Sequence, residues 1–105
     1  MRFIETPVFT RQICENMSDD DYAALQAWLS DHPESGDLIP GGGGLRKLRW
    51  SGSGRGKRGG SRVIYYFWRP ETILMMLSYL KNELAHISPA QLKTLAKFAK
   101  ENLHE

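Results

Sequence analysis

The fold of this chain is decided by two neighbouring stretches, Leu45-Arg46-Lys47-Leu48-Arg49-Trp50 and Arg62-Val63-Ile64-Tyr65-Tyr66-Phe67-Trp68. The first alternates in part, and the second is rich in β-branched and aromatic residues, which is typical of β-strands. Successive side chains of a strand point to opposite faces. If Leu48 and Trp50 point into the core, Lys47 and Arg49 therefore lie together on the opposite face. On the second strand, Arg62 shares a face with Ile64, Tyr66 and Trp68.

These two strands predict a surface on which cations lie beside aromatic rings. Adjacent cations on one face repel each other unless an anion or solvent lies between them. Arginine and lysine contact phosphates and aromatic rings stack on bases, so the combination favours nucleic acid as a ligand. The alternative is an ordinary half-exposed antiparallel sheet with a basic outer face.

Outward from these strands, the pattern predicts one α+β domain over residues 1–105, with the order β-α-α-β-β-β-α and a mainly antiparallel sheet. Further strands are expected at Arg2–Glu5 and Ile73–Leu80. Residues 34–44 are interpreted as a loop. The glycine-rich residues 51–60 are interpreted as a mobile loop that joins the two central strands.

Capping residues mark the ends of the predicted helices. Thr6-Pro7 begins the first helix, because proline tolerates the first helical position. Ser18 is the expected N-cap of the second helix, and Pro33 ends it. Ser88-Pro89 followed by Gln91 predicts a capping box at the start of the last helix.

Charge is strongly segregated along the chain, although the net charge is only +2. Residues 1–37 carry two basic and eight acidic side chains, residues 38–69 carry eight basic and no acidic ones, and residues 70–105 carry four of each. One sign concentrated in a third of a small protein creates a local field that attracts polyanions. On charge alone, a basic but merely solvated surface is an equal alternative.

Several other classes of protein are disfavoured by the sequence. The longest apolar run, Val63–Trp68, is far too short to cross a membrane. A single cysteine, Cys14, excludes an internal disulfide and fits a cytoplasmic protein. Gly56-Lys57 lacks both the earlier glycine and the following Ser or Thr of a Walker loop. The histidines are scattered, so no metal and no cofactor is expected.

The central signature comprises Gly43-Gly44-Leu45-Arg46-Lys47-Leu48-Arg49 and Gly56-Lys57-Arg58-Gly59-Gly60-Ser61-Arg62-Val63-Ile64-Tyr65-Tyr66-Phe67. With Lys81-Asn82-Glu83 after the last strand, it resembles the HigB-type branch of the RelE toxin family, from bacterial type II toxin–antitoxin systems. The resemblance covers nearly the whole chain and implies a twisted sheet with helices packed on one side. It also implies a ribosome-dependent endoribonuclease that cuts mRNA and inhibits translation.

The resemblance further implies a cognate antitoxin, expected to be a HigA-like helix-turn-helix protein. The toxin is then a monomer or part of a toxin–antitoxin hetero-oligomer. By position, the residues that match the catalytic cations of the family are Lys47, Arg49, Arg62 and Lys81. The remaining candidates, expected to hold RNA or the ribosome, are Arg46, Arg55, Lys57, Arg58, Tyr66 and Tyr79. The C-terminal tyrosine that some relatives use has no clear match.

RNA is cut without metal when its own 2′-OH attacks the adjacent phosphorus, which requires a base, cations and an acid. Lys47 is the candidate base, Arg49 and Arg62 are the candidate phosphate clamps, and Lys81 is a candidate charge stabiliser or acid. Two other functions stay open at this point. One is a ParE-like toxin that inhibits gyrase, and the other is an RNA-binding module without catalysis.

Overall fold

The structure, a computed structural model, describes residues 1–50, 60–68, 70–80 and 88–102. Its elements are, in chain order, β1 (Arg2–Glu5), α1 (Pro7–Asn16), α2 (Asp19–Asp31), β2 (Asp37–Leu38), β3 (Leu45–Trp50), β4 (Ser61–Trp68), β5 (Thr72–Leu80) and α3 (Pro89–Asn102). The predicted α+β class is confirmed, and the predicted order of elements is kept, with the short β2 added. Within these residues, no helix is long and apolar enough to cross a membrane.

The strands form one five-stranded sheet in the order β1-β5-β4-β3-β2. β1 pairs with β5 in parallel, whereas the other neighbouring strands pair antiparallel. The sheet is therefore mainly antiparallel, as predicted. β4 lies at its centre, between β3 and β5, and all three strands carry candidate site residues.

The capping predictions are also confirmed. The Thr6 hydroxyl accepts a hydrogen bond from the backbone N–H of Phe9 at 3.0 Å, which begins α1. At the start of α2, the Ser18 hydroxyl accepts from the backbone N–H of Asp21. Ser88 and Gln91 exchange two hydrogen bonds at the start of α3, and this is the expected capping box.

β2 corrects the interpretation of residues 34–44 as a loop. Asp37 and Leu38 pair with Lys47 and Arg46 of β3. A two-residue strand has no periodicity that a sequence pattern could reveal, and it forms here because neighbouring groups hold it against β3. The Arg46 guanidinium donates hydrogen bonds to the backbone oxygens of Glu34 at 3.1 Å and Gly36 at 2.8 Å.

The two faces of the sheet have different coverings. α1 and α2 pack on one face, here called the α1–α2 face, so the expected packing of helices on one side holds for these two helices. The core cluster of this face comprises Phe9, Ile13, Leu25 and Leu29 with Val63, Tyr65, Ile73 and Met75. α3 instead packs on the opposite face, here called the α3 face. Its cluster comprises Leu92 and Ala99 with Leu45, Ile64, Leu74, Met76 and Tyr79.

The reason for two clusters is the alternation of side chains along the central strands. Ile64 lies between Val63 and Tyr65 in the chain and therefore points to the other face. All three side chains are fully buried. Because β4 is apolar on both faces, one layer of helices could not cover it, and α3 covers part of the second face.

Tyr65 connects the sheet to the segment that precedes β2. Its ring is fully buried, and its hydroxyl accepts from the backbone N–H of Gly36 at 2.9 Å and donates to the backbone oxygen of Pro33 at 2.8 Å. Burial raises the pKa of the Tyr65 phenol, so the hydroxyl keeps its proton for the second bond at neutral pH. This phenol thus helps to place β2 beside β3.

We expect Tyr65→Phe to lower the free energy of unfolding by about 1–3 kcal/mol, because it leaves two buried backbone groups without a partner. Urea denaturation measures the change. Tyr66→Phe is the matched control, since Tyr66 is half-buried on the other face, and it should change stability by less than about 0.5 kcal/mol. Equal stability of the two variants would contradict this role of the Tyr65 hydroxyl.

Candidate functional site

The strand register brings most of the described candidate residues onto the α3 face. Side chains that are directly opposite each other in an antiparallel pair share a face and lie close together. Arg49 of β3 is opposite Arg62 of β4, which in turn is opposite Tyr79 of β5. These residues form a row across three strands, here called the arginine row. The prediction that Lys47 and Arg49 share a face away from the core is confirmed by the packing of Leu48 and Trp50 against the α1–α2 cluster.

A second row lies beside the first and contains the candidate base. Lys47 is opposite Ile64, and Ile64 is opposite Leu77. On its other side, Lys47 is opposite Asp37 of β2. This row, here called the lysine row, therefore pairs Lys47 with an acidic residue that the sequence pattern assigns to a loop.

Exposure changes steadily along the arginine row. Arg49 is exposed, Arg62 is half-buried, and Tyr79 has only 4% of its surface exposed. The cations are therefore accessible at the β3 side, while the phenol forms part of the floor at the β5 side.

The protonation of Tyr79 is set by two opposing effects. Burial raises the pKa of the phenol, and the positive charge of Arg62 lowers it by a smaller amount. The pKa of Tyr79 therefore lies above its usual value, and the phenol stays neutral at physiological pH. A neutral phenol can donate a hydrogen bond to a phosphate oxygen, which a phenolate could not.

Tyr66 of β4 lies on the same face, beside the start of β3. It is opposite Leu45 and packs against the α3 cluster. Gly44 makes this close approach possible, since its φ is +106° and a Cβ at this position would lie 2.8 Å from Cε1 of Tyr66. The ring is half-buried, so part of it is available for stacking.

The other binding candidates are placed differently. Arg46 points to the α1–α2 face, where its guanidinium holds the backbone oxygens that precede β2. The structure thus does not bring Arg46 together with Lys47 and Arg49. Four further candidates, Arg55, Lys57, Arg58 and Lys81, lie outside the described residues. Within the described ranges, no three His, Cys, Asp or Glu side chains form a group that could hold a metal ion.

α3 adds a set of cations that the sequence analysis did not single out. Lys93, Lys97 and Lys100 are exposed and recur at a spacing of four and three residues, which places them on one flank of the helix. Ala96 lies next to them on the helix surface and packs beside the start of β3, since a Cβ on Gly43 would lie 3.3 Å from Cβ of Ala96. The spacing was visible in the sequence, but only the packing of α3 shows that these lysines flank the same face as the arginine row.

The arginine row should reduce the stability of the protein when no anion is bound. Like charges that are directly opposite destabilise a sheet by about 0.2–1 kcal/mol. We therefore expect Arg49→Gln to raise the free energy of unfolding by about that amount at low ionic strength, and the gain to vanish in about 1 M NaCl because salt screens the repulsion. Urea denaturation at both salt concentrations measures it.

Lys47→Gln is the control for this experiment, because Lys47 lies on the same strand and face but is opposite Asp37 and Ile64. It should produce no gain. A gain of the same size from both variants would mean that general repulsion across the surface, and not the Arg49–Arg62 pair, is responsible.

The family described as "RelE toxin of RelE / RelB toxin-antitoxin system" matches residues 1–105, which is the whole chain. Toxins of this family are generally endonucleases that inhibit translation, and each acts with an antitoxin partner. A sheet face that aligns guanidinium groups beside a neutral phenol suits the binding of a nucleic-acid phosphate. The chain therefore belongs to the RelE family of toxins from toxin–antitoxin systems.

Proposed function

We propose that this protein is a ribosome-dependent mRNA endonuclease of the HigB type, which inhibits translation by cutting message. The observation that carries the proposal is the arginine row. Two arginines are directly opposite each other on neighbouring strands, and a buried neutral phenol is opposite the second of them. Arginine donates hydrogen bonds to two phosphate oxygens at once and keeps its charge, so the arginine row suits the extra negative charge of a phosphoryl transition state.

The reaction we propose uses the 2′-OH of the RNA and needs no metal. The 2′ oxygen attacks the adjacent phosphorus, and the bond from phosphorus to the 5′ oxygen breaks. The products are a 2′,3′-cyclic phosphate and a 5′-OH end. The proton of the 2′-OH passes to a base, and the leaving 5′ oxygen receives a proton from an acid. Arg49 and Arg62 hold the nonbridging oxygens throughout.

The positions of Lys47, Tyr66 and Tyr79 on the α3 face support the roles that we propose for them. Lys47 is the proposed base, since it lies one row from the arginines and is exposed. Tyr79 donates a hydrogen bond to a phosphate oxygen from the floor of the site. Lys81, which lies outside the described residues, is the proposed acid or additional charge stabiliser. Tyr66 offers its ring to a base at the other end of the same face.

Binding to the ribosome would use the cations around this face. Arg55, Lys57 and Arg58, in the segment outside the described residues, are proposed to hold ribosomal RNA, as are the lysines of α3. The partner that neutralises the toxin is proposed to be a HigA-like helix-turn-helix antitoxin, with an acidic or amphipathic segment that counters the basic surface in a toxin–antitoxin hetero-oligomer. The toxin and its antitoxin are proposed to act in the cytoplasm.

The first test is cleavage of a defined mRNA on purified translating ribosomes. Wild type should cut the message and leave 2′,3′-cyclic phosphate ends. Arg62→Ala should lower the cleavage rate by on the order of 100- to 1,000-fold, because it removes one preorganised donor to the transition state. Arg11→Ala on α1 is the matched control and should cut at the wild-type rate.

Other outcomes would contradict the proposal in distinguishable ways. Uncut mRNA, together with inhibition of gyrase in a supercoiling assay, would favour a gyrase-inhibiting toxin. Salt-sensitive RNA binding without cleavage would favour a passive binding module. Equal cutting of free mRNA would show that the ribosome is not required.

The lysines of α3 give a second prediction. We expect the triple variant with Lys93, Lys97 and Lys100 changed to Gln to bind ribosomes more weakly. The slope of log affinity against log salt should fall by about 2, since each lost contact with a single-stranded phosphate contributes about 0.7. The control is the triple change to Arg, which keeps the charge and should keep the slope. An unchanged slope in the Gln variant would show that these lysines are only solvated.

A further inference from the structure

β5 extends beyond the strand that pairs with its outer edge. β1 pairs with β5 only from Arg2–Thr72 to Glu5–Met75, whereas β5 continues to Leu80. Beyond Met75, the outer edge of β5 would present unpaired backbone groups. The chain of β1 turns into α1 at this point, so a helix and not a strand lies beside this part of the edge.

Side chains of α1 and its N-cap take the place of the missing strand. The Thr6 hydroxyl donates to the backbone oxygen of Met76 at 2.9 Å. The side-chain oxygen of Gln12 accepts from the backbone N–H of Ser78 at 2.8 Å. Asn16 adds a contact, since its side-chain amide donates to the Ser78 hydroxyl at 3.2 Å. α1 therefore holds β5 through specific polar bonds as well as through apolar packing.

These bonds flank an irregularity in the sheet. Tyr65 is opposite Met75, but Ile64 is opposite Leu77, so Met76 is an extra residue in β5 and forms a β-bulge. Thr6 forms its hydrogen bond with Met76 itself, and Gln12 accepts its hydrogen bond from Ser78, two residues later. A bulge gives up regular ladder bonds, so it persists where neighbouring groups hold it.

The bulge decides which residue faces Arg62. With it, Tyr79 is opposite Arg62 on the α3 face. If the pairing ran on from Tyr65–Met75 without the extra residue, Ser78 would be opposite Arg62. Tyr79 would then point to the α1–α2 face, because a slip of one residue turns every side chain over. Tyr79 belongs to the arginine row only because the bulge is present, whereas the β3–β4 register alone places Arg49 opposite Arg62.

We propose that Gln12 is a positioning residue for the phosphate-binding surface: acting from the α1 side, its side-chain oxygen holds the bulge of β5 that places Tyr79 opposite Arg62. The inference rests on the proposed function for its effect on cleavage, but its geometric part does not. Gln12 touches neither RNA nor the arginine row. It acts through the backbone of Ser78, whose next residue is Tyr79.

The variants separate hydrogen bonding from packing. Gln12→Met keeps the length of the side chain and removes the acceptor. Gln12→Asn keeps the amide but withdraws it by one methylene, and it serves as a second test if the Met variant does not fold. Gln12→Glu keeps an acceptor at the same reach. Glu15→Met introduces the same side chain at an exposed position of α1 and is the control.

The first measurement is single-turnover cleavage of mRNA on saturating ribosomes, normalised to folded toxin. Gln12→Met and Gln12→Asn should lower the rate constant by on the order of 10- to 100-fold, since misplacement of a catalytic contact by about 1 Å costs up to that factor. Ribosome affinity should stay at the wild-type value, and Gln12→Glu and Glu15→Met should keep the wild-type rate. A purely structural role would lower the melting temperature without changing the rate per folded molecule.

The second measurement does not require cleavage. The NMR signals of ¹³C-labelled tyrosine rings report the surroundings of Tyr79, which is identified by its loss in Tyr79→Phe. Gln12→Met should move the Tyr79 signal and its titration, whereas Gln12→Glu should leave both unchanged. If wild type cuts no RNA, the proposed function fails and this measurement alone decides the inference. An unmoved Tyr79 signal in Gln12→Met, or equal effects of Met and Glu, would overturn it.

Discussion

The pairing of β4 with β3 on one side and with β5 on the other determines where every described residue of the site lies. β4 is the central strand, and its side chains alternate between two cores. Val63 and Tyr65 anchor it under α1 and α2, while Ile64 anchors it on the α3 face. A slip of one residue would bury Arg62 and expose Val63, at a large cost in apolar burial. The apolar alternation thus fixes the register, and the register aligns Arg62 with Arg49.

The arginine row brings like charges and a buried phenol together on one face. Arg49 and Arg62 are directly opposite each other, and Tyr79 is buried opposite Arg62 with its pKa raised. The protein keeps this arrangement because the strands that carry it are packed on both faces. In the proposed function, a surface held in this way needs no rearrangement when a phosphate binds, which is the usual basis of electrostatic stabilisation in a transition state.

The acidic and basic side chains of the protein are concentrated on opposite faces of the sheet. Five of the eight acidic side chains in residues 1–37 lie on α1 and α2, namely Glu15, Asp19, Asp20, Asp21 and Asp31. The cations of the arginine row and the lysines of α3 lie on or beside the opposite face. This separation of charge favours approach of a polyanion to the α3 face and disfavours its approach to the α1–α2 face.

Local sequence determined the helix caps, the three long strands and the face shared by Lys47 and Arg49, because hydrogen bonds of a cap and the period of a strand act over a few residues. The family resemblance added the expectation that Arg49 and Arg62 hold phosphate. Tertiary structure alone decided three features. β2 depends on distant groups such as Tyr65 and Arg46, α3 lies on the face that α1 and α2 leave open, and Tyr79 is opposite Arg62 only through a bulge held by Gln12. These features depend on contacts between residues far apart in the chain, and no local pattern encodes such contacts.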